Sequence, residues 1–331
     1  MPLITLTSGK NFQSQVGSTL LQSAEQANIS LLYSCKNGRC STCKCKVLAG
    51  KTYALGIESG LSSKEQEDGW ILSCMRSAET DLLLEIDDLV NIKLPLPNTL
   101  PCKIKEIKLL ATDVIKVILR LPPTSNFQFI PGQYVEVIGP NGTRRSYSLA
   151  NFTASDNSIE MHIRAISCGV MTDYWFNQAK QNDLLRIRGP FGTFFLRESF
   201  GVDLYFLATG TGISPVKAIL DSLANIKIDQ RPKSVTLIWG GRNSQDLYLE
   251  INSTLENFLY VPVHSRPNDY WTGAKGYVQN VLLNLSPNLT NAFVYACGSD
   301  SMIKSTKSLL ADAGLPRRRF YADAFVSSGD D

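Results

Sequence analysis

The sequence predicts a multi-domain protein with a small β-rich domain, an antiparallel β-barrel and an α/β domain built on a parallel sheet. Three prolines within residues 93–101 indicate a semi-rigid spacer without regular structure. Apolar residues alternate in short runs over residues 102–200, as in antiparallel strands. From residue 201, short apolar strands alternate with helical segments, which indicates a parallel sheet covered by helices. We therefore expect domains at 1–92, 102–200 and 201–331, with a linker at 93–101.

The composition is that of an ordinary globular protein. The 331 residues are enough for two or three domains, and 44% of them are hydrophobic. A formal net charge of +3 is too small to argue for nucleic-acid binding. No stretch approaches the roughly 18 apolar residues of a membrane span, and residues 1–7 lack the features of a signal peptide. Eight cysteines, several at metal-site spacing, favour a reducing cytoplasm over a disulfide framework.

The first domain is organised around four cysteines. Cys35, Cys40 and Cys43 fall within one short loop, and Cys74 follows well downstream. This C-x₄-C-x₂-C…C spacing is the one by which thiolates hold a plant-type [2Fe–2S] cluster. A zinc site is the alternative, but zinc sites usually show two short cysteine pairs rather than three plus one. Cys45 is the one ambiguous ligand, and we interpret it as a strand residue because it breaks the spacing.

The rest of the first domain reads as strands around one helix. Residues 3–6 and 12–16 alternate as a hairpin, and residues 44–48 and 81–86 alternate as further strands. Ser18 or Thr19 is expected to cap the helix, since Gln22 follows Thr19 by three residues.

Two features of the barrel point to an anionic ligand. Arg145 and Tyr147 alternate to one face of a strand, a pair that suits a pyrophosphate next to a planar ring. Gly169–Thr172 opens the barrel's helix at about residues 171–180, where backbone N–H groups can bind an anion. An exposed basic strand and an ordinary helix cap are the respective alternatives.

In the third domain, the predicted strands end in glycine, serine or arginine. Ligands bind at the carboxyl ends of such strands. Gly210-Thr211-Gly212 follows the first strand, with Pro215 where a longer nucleotide-binding fingerprint has its third glycine; tight strand–helix packing is the alternative. Cys297 could be a nucleophile, but neither of the two histidines is near it in sequence, which argues against hydrolase or transferase chemistry.

The order of these motifs resembles iron–sulfur flavoprotein reductases, in which a plant-type ferredoxin domain is fused to a ferredoxin–NADP⁺-reductase-like module. The matching motifs are R-x-Y-S at 145–148, G-x-x-S/T at 169–172, G-T-G-x-x-P at 210–215 and Cys-Gly at 297–298. The resemblance implies a β-grasp ferredoxin domain, a barrel that binds FAD and an α/β domain that binds NAD(P)H. Within the family, stretches such as 145–151 and 295–298 resemble CDP-6-deoxy-3,4-glucoseen reductases.

The resemblance also implies roles for single residues. Arg145 and Thr172 would bind the flavin pyrophosphate, Tyr147 would pack on the isoalloxazine, and Ser148 would lie near N5. Cys297 would lie near the nicotinamide, so Ser148 and Cys297 are the expected catalytic pair. The full set of expected cofactor-binding residues is Arg145, Tyr147, Ser148, His162, Arg164, Gly169, Val170, Met171, Thr172, Gly210, Thr211, Gly212, Pro215, Gly240, Arg242, Ser265, Arg266, Cys297, Gly298 and Phe325.

Three of these residues carry open alternatives. His162 is either a buried strand histidine or a flavin neighbour beside Arg164. Ser265 and Arg266 stand where a Ser-Arg pair holds the 2′-phosphate in NADP-preferring reductases, which makes NADPH use plausible. The other interpretation of Arg266 is an ion pair with Asp269.

The implied activity is electron transfer from NAD(P)H to FAD, to the [2Fe–2S] cluster and then to a partner enzyme. For the resembling reductases that partner is the pyridoxamine-phosphate-dependent dehydrase, and the electrons complete C-3 deoxygenation of CDP-4-keto-6-deoxyglucose in 3,6-dideoxyhexose synthesis. The alternative within this chemistry is the reductase component of an aromatic-ring or other oxygenase. A redox sensor without turnover is a different class, and the intact flavin and nucleotide motifs argue against it.

Overall fold

The computed structural model describes residues 1–87, 89, 92–154 and 156–325. The chain divides into two compact units. The described residues of 1–94, together with residues 323–325, form the first unit, and those of Pro95–Ala322 form the second. In the described ranges, no helix is both long and apolar enough to cross a membrane.

The first unit is a mixed sheet around a helix, as the alternation predicted. Its elements are β1 (Leu3–Leu6), β2 (Asn11–Gln13), α1 (Leu20–Gln26), β3 (Lys44–Ala49), β4 (Thr52–Ala54), α2 (Ser63–Glu67), β5 (Trp70–Leu72), β6 (Arg76–Ala78) and β7 (Leu82–Glu85). The main sheet has the order β2-β1-β7-β3-β5, with β1 parallel to β7, and β4 pairs with β6 in a small second sheet. This is the arrangement of a β-grasp ferredoxin domain.

Helix α1 begins where its cap was expected. The Thr19 hydroxyl accepts a hydrogen bond from the Gln22 amide at 3.1 Å, and the Gln22 side chain accepts one from the Thr19 amide at 2.9 Å. This reciprocal capping satisfies two amides that the helix leaves without partners. Leu20, Leu21 and Ala24 are buried, so the helix covers the sheet just ahead of the cysteine loop.

The second unit begins with an antiparallel barrel. Its elements are β8 (Asn98–Ala111), β9 (Val114–Arg120), β10 (Tyr134–Ile138), β11 (Arg144–Ser148), β12 (Ser158–Arg164), α3 (Val170–Asp173) with one π-helical turn (Tyr174–Gln178), and β13 (Leu184–Phe191). The strand order is β11-β10-β13-β8-β9-β12, and every neighbouring pair is antiparallel. A bridge between Leu149 and Met161 joins the two ends of this sheet, which closes the barrel.

The expectation that residues 93–101 lack regular structure is wrong for their last part, because β8 begins at Asn98. Pro101 pairs with Arg186 of β13, whereas pairing of β8 with β9 starts only at Lys103. At Pro101 the strand therefore has one free edge, and a proline without an N–H group is tolerated at such an edge.

The second unit continues as a parallel α/β sheet. Its elements are β14 (Asp203–Thr209), α4 (Ile213–Ala224), β15 (Ser234–Gly241), β16 (Phe258–His264), β17 (Ala274–Lys275), α5 (Val278–Asn284), β18 (Ala292–Ser299), α6 (Asp300–Asp312) and β19 (Phe320–Phe325). The order is β17-β16-β15-β14-β18-β19, and β14 to β18 are parallel wherever they pair. The carboxyl ends of β14, β15, β16 and β18 therefore meet at one edge of the sheet.

Candidate functional site

The four expected cluster ligands form two close pairs. The amide of Cys35 donates to the sulfur of Cys40 at 3.4 Å, and the amide of Cys40 donates back to the sulfur of Cys35 at the same distance. The sulfurs of Cys43 and Cys74 lie 3.2 Å apart. Two thiol pairs fit two irons, each held by two thiolates, so this donor set suits a [2Fe–2S] cluster.

Within each pair, the pKa of one thiol is lowered and that of its partner is raised. The side chain of Cys40 and the amides of Asn37, Arg39 and Cys40 hydrogen-bond to the Cys35 sulfur and lower its pKa to about 6. In the other pair, the hydrogen bond from Cys43 lowers the pKa of Cys74. Each pair thus holds one thiol poised to ionise, and thiolates are what iron binds.

Cys45 lies apart from this arrangement, as a residue of β3 paired with Ile71. It is fully buried, and burial raises the pKa of its thiol to about 12. A thiol so reluctant to ionise is a core residue, which agrees with its interpretation as a strand residue.

Sequence reasoning missed Glu58, which supports the cysteine segments. Its buried carboxylate accepts hydrogen bonds from the Leu72 amide at 2.7 Å and from the Arg76 guanidinium at 2.8 Å. These two residues flank Cys74 in sequence, so Glu58 fixes the segment that carries the fourth thiol. A single glutamate in a loop gives no signal by which sequence could have found it.

In the barrel, Tyr147 has a fixed ring. Its hydroxyl accepts a hydrogen bond from the Trp175 indole at 3.0 Å, and the two rings meet edge to face at 83°. Burial raises the pKa of the Tyr147 phenol to about 12, so the hydroxyl stays protonated. Arg145 and Ser148 are half-buried on the same strand.

Beside this strand, a cavity of about 830 Å³ lies between the turn at 139–143 and the segment 165–178. Its lining includes all of Gly169, Val170, Met171 and Thr172. The Thr172 hydroxyl accepts a hydrogen bond from the Ile166 amide at 3.1 Å, so it orders the loop that enters α3.

His162 and Arg164 contact the segments that follow β14 and β15. His162 is 6% exposed, with its ring nitrogens 2.9 Å from Glu160 and 3.2 Å from the Tyr248 hydroxyl. Burial lowers the pKa of His162, which favours the neutral imidazole. Arg164 forms an ion pair with Asp246 at 3.2 Å, and its guanidinium lies beside Gly210.

The Gly-Thr-Gly turn packs against Cys297-Gly298. A Cβ added to Gly212 would lie 2.3 Å from the carbonyl oxygen of Cys297, and one added to Gly298 would lie 2.1 Å from the Thr209 hydroxyl. Both positions therefore require glycine. Cys297 is fully buried, and Pro215 is buried in the first turn of α4.

At the end of β16, Ser265 and Arg266 are exposed and held by their backbone. The amide of Ser265 donates to Gly241 at 2.9 Å, and that of Arg266 donates to Arg242 at 2.8 Å. Within the described ranges, the Arg266 side chain has no ion-pair partner, so the considered pair with Asp269 is not formed. Arg242, by contrast, is paired with Asp246. Burial alone would raise the pKa of Asp246, but the hydrogen bonds from Arg242 have the larger effect and lower that pKa overall.

Sequence reasoning also missed the support of this loop. The ring of Trp271 stacks on buried His264 with centroids 3.5 Å apart, and its indole donates to Ala274 at 2.9 Å. Gly273 is required because a Cβ would lie 2.4 Å from the Trp271 ring.

The chain end is described as far as Phe325, whose side chain is 38% exposed. Two residues earlier, buried Asp323 accepts a hydrogen bond from the Ser34 hydroxyl at 2.5 Å, within the first unit. The expected role of Phe325 over the flavin stays a prediction.

Comparison with known proteins assigns one cofactor to each of the three domains. Residues 4–79 match the 2Fe-2S iron-sulfur cluster binding domain, residues 101–196 the oxidoreductase FAD-binding domain, and residues 206–308 the oxidoreductase NAD-binding domain. The chain therefore belongs to the iron–sulfur flavoprotein reductases, and it is an NAD(P)H-dependent oxidoreductase with FAD and [2Fe–2S] as cofactors. The fold class, family and cofactors expected from the sequence are confirmed.

Two relatives and one solved structure are similar to the chain over nearly its whole length. The chain is 38% identical over 325 residues, 97% of each chain, to the CDP-6-deoxy-L-threo-D-glycero-4-hexulose-3-dehydrase reductase of Yersinia pestis. It is 32% identical over 321 residues to the terephthalate 1,2-dioxygenase reductase component 1 of a Comamonas species, with 94% of this chain and 93% of the relative covered. Among solved structures, the Amycolatopsis cytochrome P450 reductase GcoB superposes with a TM-score of 0.75 at 27% identity, with 99% of this chain and 100% of that chain covered.

Proposed function

We propose that this reductase passes electrons from NAD(P)H to a pyridoxamine-phosphate-dependent sugar dehydrase, for C-3 deoxygenation of CDP-4-keto-6-deoxyglucose. The observation that carries the proposal is the 38% identity, over 97% of both chains, to a reductase named for a hexulose dehydrase. The oxygenase reductase component matches less closely, at 32%. All three domains take part in the closer match, so the acceptor-facing first domain is included.

When bound, NAD(P)H supplies electrons in pairs, FAD can take a pair and release single electrons, and the [2Fe–2S] cluster carries one electron at a time. The protein's part is to hold these groups. Cys35 with Cys40 would hold one iron, and Cys43 with Cys74 the other. The backbone donors to Cys35 stabilise negative charge on that sulfur.

In the barrel, Arg145 would offer its guanidinium to the flavin pyrophosphate, a charge-assisted contact. Tyr147 would lie along the flavin ring, and its hydrogen bond from Trp175 keeps the phenol from rotating away. Ser148 ends the same strand and would present its hydroxyl near N5. The segment 169–172 lines the neighbouring cavity, which supports its place in flavin binding.

In the α/β domain, backbone rather than side chains would receive the nucleotide. Gly212 and Gly298 let the Gly-Thr-Gly turn pack directly against Cys297 and Thr209, and the nucleotide would bind beside this close-packed pair of turns. Because Cys297 is fully buried, we assign it a shaping role for the nicotinamide pocket rather than a nucleophilic one.

We infer further that NADPH is accepted. Arg266 is exposed, lies at the carboxyl end of β16, and has no ion-pair partner in the part of the chain that is described. A guanidinium next to the Ser265 hydroxyl suits a 2′-phosphate. We also propose a cytoplasmic location, since all eight cysteines lie in the described ranges and none of them forms a disulfide.

The test combines the protein containing FAD and the [2Fe–2S] cluster, a purified pyridoxamine-phosphate sugar dehydrase, CDP-4-keto-6-deoxyglucose, and NADH or NADPH. We expect a 3-deoxy sugar product that requires both proteins. The Cys43→Ser variant is the matched control, because it should retain flavin reduction by NAD(P)H and lose product. Brisk reduction of a small-molecule acceptor without any sugar product would refute the dehydrase and favour an oxygenase as acceptor.

A further inference from the structure

The first unit exposes a continuous apolar strip, Tyr53-Ala54-Leu55-Gly56-Ile57, in which every residue is exposed. The exposed fractions are 38% for Tyr53, 44% for Leu55 and 82% for Ile57. Single exposed apolar side chains are ordinary on protein surfaces, whereas consecutive ones mark a surface that another molecule covers. The backbone of the strip pairs with β6 and with Met75, whereas the side chains of Tyr53, Leu55 and Ile57 stay exposed.

The strip lies against both chain segments that carry the cluster thiols. The Leu55 amide donates to the carbonyl of Met75, the residue after Cys74, at 2.8 Å. On the other side, the Ile57 carbonyl is so close to Gly38 that an added Cβ would lie 2.2 Å from it. Gly38 stands between Cys35 and Cys40, so the strip borders the thiol loop directly.

The chain around the thiols is basic. Residues 26–57 contain no aspartate or glutamate, and their five charged residues are Lys36, Arg39, Lys44, Lys46 and Lys51. Acidic groups reach this region from neighbouring elements: Glu25 pairs with Lys36, Glu65 with Lys44, and Glu58 with Arg76. Exposed Glu79 and Asp81 lie beside Lys51 and Gly50, where the Glu79 amide donates to the Lys51 carbonyl at 2.9 Å. Lys51 is exposed and directly precedes β4, whose residues begin the strip.

We propose that the apolar strip and its basic border are the docking surface for the electron-accepting protein, whose matching face is apolar with an acidic rim. Transfer of one electron requires the acceptor to come close to the thiol loop, and the strip is the apolar surface next to that loop. Apolar contact would exclude water, while opposite charges at the rim would speed and orient encounter. This inference rests on the proposed function only in that the acceptor is a protein.

The test uses two protein probes that do not depend on the dehydrase. The soluble domain of cytochrome b5 is an acidic one-electron acceptor, and cytochrome c is a basic one. With NAD(P)H as the electron source, each turnover oxidises the cluster by one electron and reduces one haem iron from Fe(III) to Fe(II). Equilibrium binding of oxidised cytochrome b5 is measured separately by calorimetry without NAD(P)H, so that docking is observed apart from catalysis.

The test variants are Ile57→Ser and Lys51→Glu, and the controls are Val16→Ser and Lys227→Glu. Val16 is 88% exposed in the same unit, and Lys227 is exposed in the second unit. We expect each test variant to weaken cytochrome b5 binding about fivefold and to raise its KM equally, because central apolar and rim charge contacts are typically worth that much. Lys51→Glu should spare or improve reduction of basic cytochrome c, and the controls should change nothing.

Three results would overturn the proposal. Unchanged binding and KM in both test variants would remove the strip from docking. Loss with Val16→Ser equal to that with Ile57→Ser would make the effect unspecific. Sedimentation of the wild-type protein as a dimer that Ile57→Ser dissociates would assign the strip to a second copy of the chain. Failure of the sugar dehydrase to accept electrons, with the cytochrome results as expected, would instead refute only the proposed acceptor.

Discussion

Replacing Gly212 by alanine should slow the reduction of the flavin by NAD(P)H while FAD and the cluster stay bound. The backbone of Gly212 has φ −58° and ψ −14°, which alanine adopts freely, so the substitution introduces no backbone strain of its own. The added Cβ would, however, lie 2.3 Å from the Cys297 carbonyl oxygen and 2.9 Å from the Gly298 nitrogen. Because carbon–oxygen contacts stay at about 3.3 Å or more, one backbone must move by about 1 Å.

The expected magnitudes follow from that displacement. Overpacking costs about 1–3 kcal/mol, and because alanine restricts the unfolded chain more than glycine does, the substitution returns up to about 1 kcal/mol. A net cost of about 1–2 kcal/mol, in a unit spanning Pro95–Ala322, lowers Tm by about 2–8 °C. A 1 Å displacement at a positioning surface can slow chemistry by up to about 100-fold, so NAD(P)H should bleach the flavin at least about tenfold more slowly.

The assay is anaerobic stopped-flow at the flavin absorbance, paired with a thermal melt. Gly201→Ala is the matched control, since Gly201 has φ +66° with open space where the Cβ would lie. It should lose about 1–2 kcal/mol of stability through backbone strain while keeping the wild-type bleaching rate. A wild-type bleaching rate and KM in Gly212→Ala would refute the idea that this close packing shapes the nucleotide site.

Substitutions at three further sites, the cysteine pair Cys43 and Cys45, Arg266 and His162, are expected to act as follows. Cys45→Ala should keep the visible bands of the iron–sulfur cluster, whereas Cys43→Ser should lose them, as absorption and iron content will report. Arg266→Ala should raise the KM for NADPH about tenfold, because a partly exposed charge-assisted contact is lost, and it should leave the KM for NADH unchanged. Both KM values are measured by steady-state kinetics, and Arg120→Ala, at another exposed arginine, is the control. His162→Gln should flatten the fall in the free energy of unfolding below about pH 7, measured by denaturant titration.

The sign of the histidine effect follows from its burial. Burial lowers the pKa of His162 below 6.5, so the unfolded chain binds a proton that the folded chain resists. Its contribution to stability is thus present above pH 6.5 and lost as the pH falls toward the lowered value. If the free energy of unfolding fell equally steeply with decreasing pH in the wild type and in His162→Gln, this assignment would be contradicted. Loss of the cluster in Cys45→Ala, or equal KM changes for both nucleotides in Arg266→Ala, would likewise contradict those assignments.

Sequence reasoning succeeded where a local rule acts alone. The spacing of the four cysteines identified the cluster domain because one loop must wrap the cluster. The Thr19 cap was predictable because capping is a contact within four residues. The alternation of apolar residues was enough to separate the barrel from the parallel sheet.

It failed where distant segments decide. Pro101 forms part of a strand because pairing with β9 starts only after it, and no local pattern shows this. Glu58 and Trp271 gave no motif, since their contacts with Arg76 and His264 depend on the folded chain. Sequence also does not show that Arg242 pairs with Asp246, or that Arg266 has no such partner among the described residues, because both depend on how the loops fold.

The most direct measurement is an anaerobic single-turnover experiment in which protein reduced by NAD(P)H is mixed with the sugar dehydrase. The absorbance of the iron–sulfur cluster is followed with and without CDP-4-keto-6-deoxyglucose. We expect rapid reoxidation of the cluster only when dehydrase and sugar are both present, with one 3-deoxy product for every two electrons. A cluster that stays reduced in the complete mixture, while cytochrome c reoxidises it readily, would contradict the proposed acceptor.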